Sequence, residues 1–301
     1  MTRLAHLIIA ATAACAFALP AIGQSGKAMR MQLVKLMDPT GFERPMVAAT
    51  TVLPQGWTTE GGVVWLIGGD CQSGQTTDWT ATSPDGKAVI RMFPSASWRF
   101  NNQGLPAGRD CIPAAFNSAD QYVQGFMASQ LQNSRIIKIQ RDPQTMQMLS
   151  QYPFRHEMQG DPYSNNWWDA AAVEVEYTYQ GKDYSGVMSL FTIHNYTVSG
   201  HSFGYGAPLE MGYGVAFNQV LMAAPAGEVE KYMPAFELFM KNYRVNPEWQ
   251  AKMNRHNQKM SQIQIEANRK FSNTIAKTYS DISDMSMDSW RKRNAMSDTG
   301  Q

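Results

Sequence analysis

The chain has 301 residues, of which 44% are hydrophobic and 17% charged, and its 26 Lys and Arg residues balance 25 Asp and Glu. This much apolar material excludes a fully disordered chain. A net charge of +1 excludes a strongly basic nucleic-acid binder. We therefore expect a folded protein of one or two domains with no nucleic-acid partner.

Residues 1–23 are predicted to be a secretory signal peptide. Arg3 precedes an apolar run, Leu7–Leu19, which is too short to cross the ~30 Å hydrocarbon core of a membrane as a helix. Small residues at Ala21 and Gly23 favour cleavage before Gln24. No later run has the length and apolarity of a transmembrane segment. The sequence therefore predicts an exported protein, periplasmic or secreted, without a transmembrane segment.

Two cysteines, Cys71 and Cys111, remain after removal of the signal peptide. An exported protein meets an oxidising environment, so we expect these cysteines to form a disulfide. Closing this loop should stabilise the fold by about 4 kcal/mol. The alternative is a redox or metal-binding pair, but the Cys-x-x-Cys spacing typical of such pairs is missing.

Composition divides the mature chain at Asn246-Pro247. Glycine and proline are frequent from 24 to 245, whereas neither occurs from 248 to 299. We predict an α+β domain over 24–245, mainly an antiparallel sheet sandwich with flanking helices, followed by a long C-terminal helical tail over 246–301.

Local patterns predict the elements of the first part. In chain order they are strands at Met46–Leu53 and Val63–Ile67, a hairpin at Pro84-Asp85-Gly86, a helix after the Ser118…Gln121 capping box, a strand at Val173–Tyr179 turning at Gln180-Gly181, a strand at Tyr213–Ala223 and a helix over Val229–Tyr243. Strict alternation in Val173–Tyr179 predicts that one face of that strand contacts water. The hairpins favour an antiparallel sheet over repeated βαβ units.

Over about residues 40–245 the chain resembles the PsbP/Mog1 type of α/β/α sandwich. The features that carry the resemblance are the strand ending at Pro54-x-Gly-Trp57, the Asp85-Gly86 hairpin, an internal helix and a closing helix before Asn246-Pro247. Proteins of this type are mostly non-catalytic accessory or binding modules. The resemblance therefore implies a binding function and carries over no catalytic residue.

The predicted tail has an apolar stripe. Its members lie mostly three, four or seven residues apart and are Trp249, Met253, Met260, Ile263, Ala267, Phe271, Ile275, Tyr279 and Ile282. A helix of about 50 residues would be ~75 Å long. Two interpretations stay open: the helix packs on its own domain, or it associates with a second copy or a protein partner. A coiled coil is one form of the second, although no sustained heptad is present.

Aromatic residues beside polar turns are the candidate binding residues. Trp167 and Trp168 follow Asn165-Asn166, and if exposed they would form a platform for a sugar ring or an anchor for a protein. A glycine-aromatic segment, 200–214, adds His201, Tyr205 and Tyr213.

A G-x-S-x-G motif at Gly200–Gly204 centres on Ser202 and is typical of serine hydrolases. The segment after it is too rich in glycine and proline for the helix that this motif requires. The only histidine that follows is His256, and no aspartate lies between Ser202 and His256. A glycine-rich loop explains the motif with fewer requirements, and the hydrolase stays an alternative.

A metal site is the other alternative. Met146, Met148, His156 and Met158 lie within thirteen residues, and thioether and imidazole ligands suit Cu(I). Adaptable core packing is the other interpretation of these methionines. No histidine spacing typical of zinc occurs, and no cofactor is expected.

These observations favour an exported, non-catalytic binding or assembly module of the bacterial cell envelope. The alternatives are a serine hydrolase centred on Ser202 and a periplasmic Met/His copper binder. The sequence does not identify the ligand.

Overall fold

The computed structural model describes residues 30–66, 69–71, 74–130, 132–151, 156–157, 163–199 and 208–260, together with 284, 287 and 288. The predicted signal peptide, the Ser202 motif and most of the predicted tail lie outside these residues. Of the described residues, 53% are in strands and 23% in helices.

The described strands form two sheets. In chain order they are β1 (Met31–Asp38), β2 (Met46–Pro54), β3 (Thr58–Leu66), β4 (Gly74–Thr82), β5 (Val89–Phe93), β6 (Ala96–Asn101), β7 (Cys111–Ile112), β8 (Gln132–Gln140), β9 (His156–Glu157), β10 (Tyr163–Tyr179), β11 (Lys182–Ser199), β12 (Leu209–Pro225) and β13 (Arg244–Val245). The smaller sheet has the order β1-β2-β13. The larger has the order β3-β4-β5-β12-β11-β10-β8, with β6 paired to β12, β7 to β6 and β9 to β10. All pairs are antiparallel except β6 with β7.

Four described helices pack on these sheets: α1 (Ala119–Gln130), α2 (Pro143–Leu149), α3 (Val229–Asn242) and α4 (Pro247–Met260). Ser118 caps α1 as predicted, with its Oγ accepting from the Gln121 backbone amide at 3.4 Å, whereas the Gln121 side chain accepts from the amide of Asn117 at 2.7 Å. Within the described residues, no helix is long and apolar enough to cross a membrane.

Three long strands, β10, β11 and β12, form the centre of the larger sheet, with 17, 18 and 17 residues. The β10–β11 hairpin turns through Gln180 and Gly181, whose φ angles are 49° and 74°. Two successive positive φ values match the right-handed twist of the flanking strands. The register therefore continues without a shift from Tyr179–Lys182 to Tyr163–Val198.

Hydrophobic cores lie on both faces of the larger sheet. On one face Trp79 stacks on Phe239 of α3 at 5.7 Å, and on the other Trp98 stacks on Tyr122 of α1 at 5.3 Å. The predicted wet face of Val173–Tyr179 was wrong at Glu174, which is 2% exposed and accepts a hydrogen bond from Gln140 Nε2 at 2.9 Å. Strand β10 contributes residues to the cores on both faces of the sheet, Ala172 to one and Val173 to the other, so neither of its faces is open to water there.

The predicted disulfide is confirmed. Cys71 and Cys111 are bonded with a Cα–Cα distance of 5.2 Å. The bridge joins the chain after β3 to β7, close to the ion pair between Arg109 and Asp70. The predicted hairpin at Pro84-Asp85-Gly86 is also present, joining β4 to β5.

The predicted fold class was wrong in its proportion of strand to helix and in its C-terminal element. Antiparallel sheet dominates the described residues, the helices have 7 to 14 residues, and no long helical tail is shown. The first residues of the apolar stripe face the protein itself. Trp249 packs on the core that contains Trp79 and Phe239, which we call the larger core, while Met253 is 1% exposed. Farther along, Met287 is 4% exposed and belongs to the same core.

The predicted domain boundary lies in a packed region. The Asn246 side chain donates to Val47 O at 2.7 Å, and its backbone amide donates to Ala48 O at 2.8 Å. No coiled-coil pairing occurs among the residues described after 246, and self-association through 246–301 stays a prediction.

Candidate functional site

Strand register brings aromatic side chains and two glycines together on one face of the larger sheet. A first row across four strands contains Trp167, His194, Gly214 and Trp98, each opposite the next. A second row, two residues farther along each strand, contains Asn165, Tyr196, Gly212 and Phe100. We call these two rows, with Tyr163 and Phe116, the aromatic face.

The glycines on β12 make room for the rings of β6. A Cβ on Gly214 would lie 2.2 Å from the Trp98 indole, and one on Gly212 would lie 2.0 Å from the Phe100 ring. Each ring therefore lies across β12 and reaches β11. Trp98 contacts His194 at 5.5 Å and Phe100 contacts Tyr196 at 6.2 Å.

His194 is the buried centre of the first row. It is 1% exposed; Nε2 lies 2.8 Å from Thr192 Oγ1, and Nδ1 lies 3.1 Å from Phe116 O. A carbonyl only accepts, so Nδ1 carries the proton and Nε2 accepts from Thr192. Burial lowers the pKa of His194 to about 4. The imidazole is therefore neutral near pH 7, and both of its nitrogens are engaged.

Trp167 forms the outer end of the first row. Its ring stacks on His194 at 5.0 Å with an interplanar angle of 7°, and its Nε1 donates to Asn117 O at 3.1 Å. The side chain is half-buried. One face of the indole is thus covered by the imidazole, and the ring is held in place from two directions.

The second row is more exposed than the first. Phe100, Tyr196 and Tyr163 are all half-buried, and Tyr163 contacts Tyr196 at 6.3 Å. The Tyr196 hydroxyl donates to Glu210 Oε2 at 2.6 Å, and this hydrogen bond raises the pKa of Tyr196 to about 12. Asn102 accepts from the Glu210 amide at 3.1 Å. Polar groups therefore border the rings on the β12 side.

A partly buried ion network holds α1 beside the aromatic face. Asp169 is 6% exposed; its Oδ2 accepts from the Ala119 amide at 2.9 Å and from Arg141 Nη2 at 2.8 Å. Arg141 also pairs with Asp120 on α1. Because Phe116 and Asn117 directly precede α1, this network also fixes the partners of His194 and Trp167.

The predicted tryptophan pair does not form one platform. Trp167 and Trp168 are neighbours on strand β10, so their side chains point to opposite faces. Trp168 contacts Phe217 at 6.3 Å on the side of the larger core. Tyr213 lies on that opposite face too, below Arg99 at 5.9 Å. Of the predicted binding residues in the described part, only Trp167 belongs to the aromatic face.

Other predicted site residues are only partly described. His201, Ser202, Tyr205 and Met158 lie outside the described residues, and of His156 only the backbone is described, paired with Ser164. Met146 and Met148 are both half-buried on α2, and two residues apart they do not share a helix face. The hydrolase and copper alternatives therefore stay predictions.

Across the part of the chain that the structure describes, no group of three or more His, Cys, Asp or Glu side chains is placed to hold a metal ion.

Sequence reasoning missed most of the aromatic face. Its signal is a period of two in three separate strands: Trp98-x-Phe100, His194-x-Tyr196 and Gly212-x-Gly214. Each pair is short, and only the register of the sheet shows that the three belong together.

Comparisons with known proteins leave the function open. No family model matches the chain, and no curated protein matches it. The chain is similar to a solved structure of PA94, a protein of unknown function from Pseudomonas aeruginosa, with 13% sequence identity and a TM-score of 0.21. The match covers 69% of this chain and 91% of the PA94 chain.

Proposed function

We propose that the protein is an exported, non-catalytic binding module of the bacterial cell envelope, and that its aromatic face binds a glycan. The observation that carries the proposal is the arrangement of Trp167, Tyr196 and Phe100. Their half-buried rings lie in two adjacent rows, bordered by the Glu210 carboxylate and by asparagines.

Sugar rings combine an apolar C–H face with a rim of hydroxyl groups. An aromatic side chain packs on the apolar face, while carboxylate and amide groups accept and donate at the rim. On the aromatic face these two kinds of group are neighbours: Tyr196 itself donates to Glu210. The site therefore offers both contacts that a glycan requires.

The rings are also fixed before any ligand arrives. Gly212 and Gly214 leave space that only the Phe100 and Trp98 rings fill, and Trp167 is held by His194 and Asn117. A rigid surface loses little side-chain entropy on binding, which favours affinity.

A binding role fits the state of His194 better than a catalytic one. The imidazole is 1% exposed and neutral, and both nitrogens have partners within the protein. A general base has to reach its proton donor in the substrate, and this geometry keeps His194 from doing so. The disulfide supports export, because disulfides persist in oxidising compartments.

Co-sedimentation with purified peptidoglycan sacculi tests the proposal. We expect the wild-type protein to pellet with the sacculi. The Trp167→Ala variant should lose at least ~10-fold in affinity, because it removes the half-buried ring at the outer end of the first row. Trp168→Ala is the matched control, since it removes the same side chain from the opposite face. Failure of the wild-type protein to pellet, or equal losses in both variants, would overturn the proposal.

A further inference from the structure

A second concave site lies away from the strands of the aromatic face, between the turn after β1 and helix α4. This cleft has a volume of ≈ 480 Å³. Its lining consists of Thr40, Gly41, Phe42, Glu43, Lys252, Arg255 and His256. The volume falls within the range of small-molecule sites, which is roughly 300–1,000 Å³.

Asp38 joins the two walls of the cleft. It is 1% exposed, and Oδ1 accepts from the Gly41 amide at 2.8 Å and from Trp65 Nε1 at 3.0 Å. Its Oδ2 accepts from Trp249 Nε1 at 2.8 Å. The turn, β3 and α4 therefore meet at one carboxylate, whose charge is satisfied by N–H donors of the protein.

Aromatic rings line the inner side of the cleft. The Trp65 indole meets Phe42 edge to face at 5.8 Å and His256 edge to face at 5.1 Å. A Cβ on Gly41 would lie 2.0 Å from the same indole, so glycine is required for this packing. The shape of the site is thus set by packed groups.

Cationic groups line the α4 side. Lys252 and Arg255 are three residues apart and share a helix face. Lys252 Nζ lies 3.2 Å from Glu43 Oε2 and 5.3 Å above the Phe42 ring. Among the described residues, Arg255 has no ion-pair partner, and its side chain is exposed.

We propose that this cleft binds an oxyanion, a phosphate group, through Lys252 and Arg255, and that Glu43 is displaced on binding. Arginine presents a planar fork of donors that matches phosphate oxygens, and lysine adds a point charge. The Glu43 carboxylate is 86% exposed, so its ion pair with Lys252 is weak. An oxyanion can therefore replace this carboxylate beside the Lys252 ammonium. The inference is independent of glycan binding, because it uses different elements.

Isothermal titration of the full chain with inorganic phosphate tests the site. We expect Arg255→Ala to weaken binding by at least ~10-fold, because a charge-assisted contact is lost. Glu43→Gln should strengthen binding by about 3- to 10-fold, because it removes the competing charge and leaves both cations in place. Lys241→Ala is the control, since Lys241 is an exposed lysine of α3 paired with Glu237. General electrostatic attraction would make Lys241→Ala weaken binding as much as Arg255→Ala does, whereas a site in the cleft leaves the affinity of Lys241→Ala close to that of the wild type.

The phosphate can be free or part of a lipid headgroup, and vesicles of phosphatidylcholine with 30% phosphatidylglycerol separate the sources. Binding to inorganic phosphate assigns a free ligand, whereas Arg255-dependent binding to vesicles alone assigns a headgroup. The proposal is overturned if the wild-type protein binds neither probe. It is equally overturned if Arg255→Ala binds as the wild type does, or if Glu43→Gln weakens binding.

Discussion

Trp249, in the first turn of α4, donates its Nε1–H to Asp38 Oδ2 at 2.8 Å, across 211 residues of chain. The same carboxylate accepts from Trp65 Nε1 and from the amides of Thr40 and Gly41. One buried acid thus fixes the end of β1, the end of β3 and the start of α4 together. This contact explains why the first part of the predicted tail is docked and does not project.

Replacing Asp38 by Asn should destabilise the protein by about 3 kcal/mol. The amide keeps one acceptor oxygen but turns an NH₂ group toward N–H donors, leaving buried donors without partners. Urea unfolding measures the effect, and Glu60→Gln, at an exposed position of β3, is the control for loss of an acid. Equal stability of Asp38→Asn and the wild type would show that the N–H donors find other acceptors.

His194 should make stability depend on pH between 6.5 and 4. Its pKa is lowered by burial from 6.5 to about 4, so over this range the unfolded chain binds the proton and the folded protein does not. The contribution of neutral His194 is complete above pH 6.5 and is lost as the pH falls toward 4, by about 3 kcal/mol.

Chemical unfolding at pH 7 and pH 4 measures this contribution in the wild type and in His194→Gln, which does not titrate. Protonation of the other titratable groups changes the stability of both proteins equally. The difference between the two pH dependences therefore isolates the contribution of the His194 imidazole. Identical pH dependences would mean that His194 is protonated without cost.

Gly214→Ala should cost more than Gly212→Ala. The new methyl group would meet Trp98, which is 1% exposed and stacked on Tyr122, so the ring cannot move away. We expect a loss of about 3 kcal/mol. At Gly212 the obstructed ring is half-buried Phe100, which can turn toward solvent for about 1 kcal/mol.

Thermal unfolding ranks the two glycine variants. If our assignment of the aromatic face is correct, Gly212→Ala should also weaken binding to sacculi, because Phe100 leaves its position beside Tyr196. A Gly212→Ala protein that is less stable than Gly214→Ala would contradict the difference in ring freedom.

Removal of the disulfide by the double change Cys71→Ser and Cys111→Ser should lower the free energy of unfolding by about 4 kcal/mol. The bridge closes a loop with a sequence separation of 40 residues and so limits the unfolded chain. Unfolding of the wild type with and without a reductant gives the same comparison without mutation. Loss of less than about 1 kcal/mol would show that the bridge hardly restricts the unfolded chain.

Local signals were sufficient for several elements of the fold. The Pro84-Asp85-Gly86 hairpin, the turn at Gln180-Gly181 and the cap at Ser118 each depend on residues within a few positions. The Cys71–Cys111 pair followed from a count of cysteines and an expected compartment. These features are encoded by backbone preferences and composition, which a sequence displays directly.

Contacts between distant residues decided the rest. The apolar stripe of the tail has the same pattern whether it packs on a partner or on its own domain. Only the packing of Trp249 and Met253 shows that the first part of the stripe contacts its own domain. Likewise Trp167 and Trp168 are adjacent in sequence, yet the two faces of β10 separate them.

Both candidate sites arise from this second kind of information. The aromatic face needs the register of four strands, and the α4 cleft needs Asp38 to hold residues from opposite ends of the chain. By itself the sequence determined the strands, turns and cross-link, because those depend on local chemistry. Tertiary structure alone decided which side chains share a surface, because that depends on how separate strands and helices pair in space.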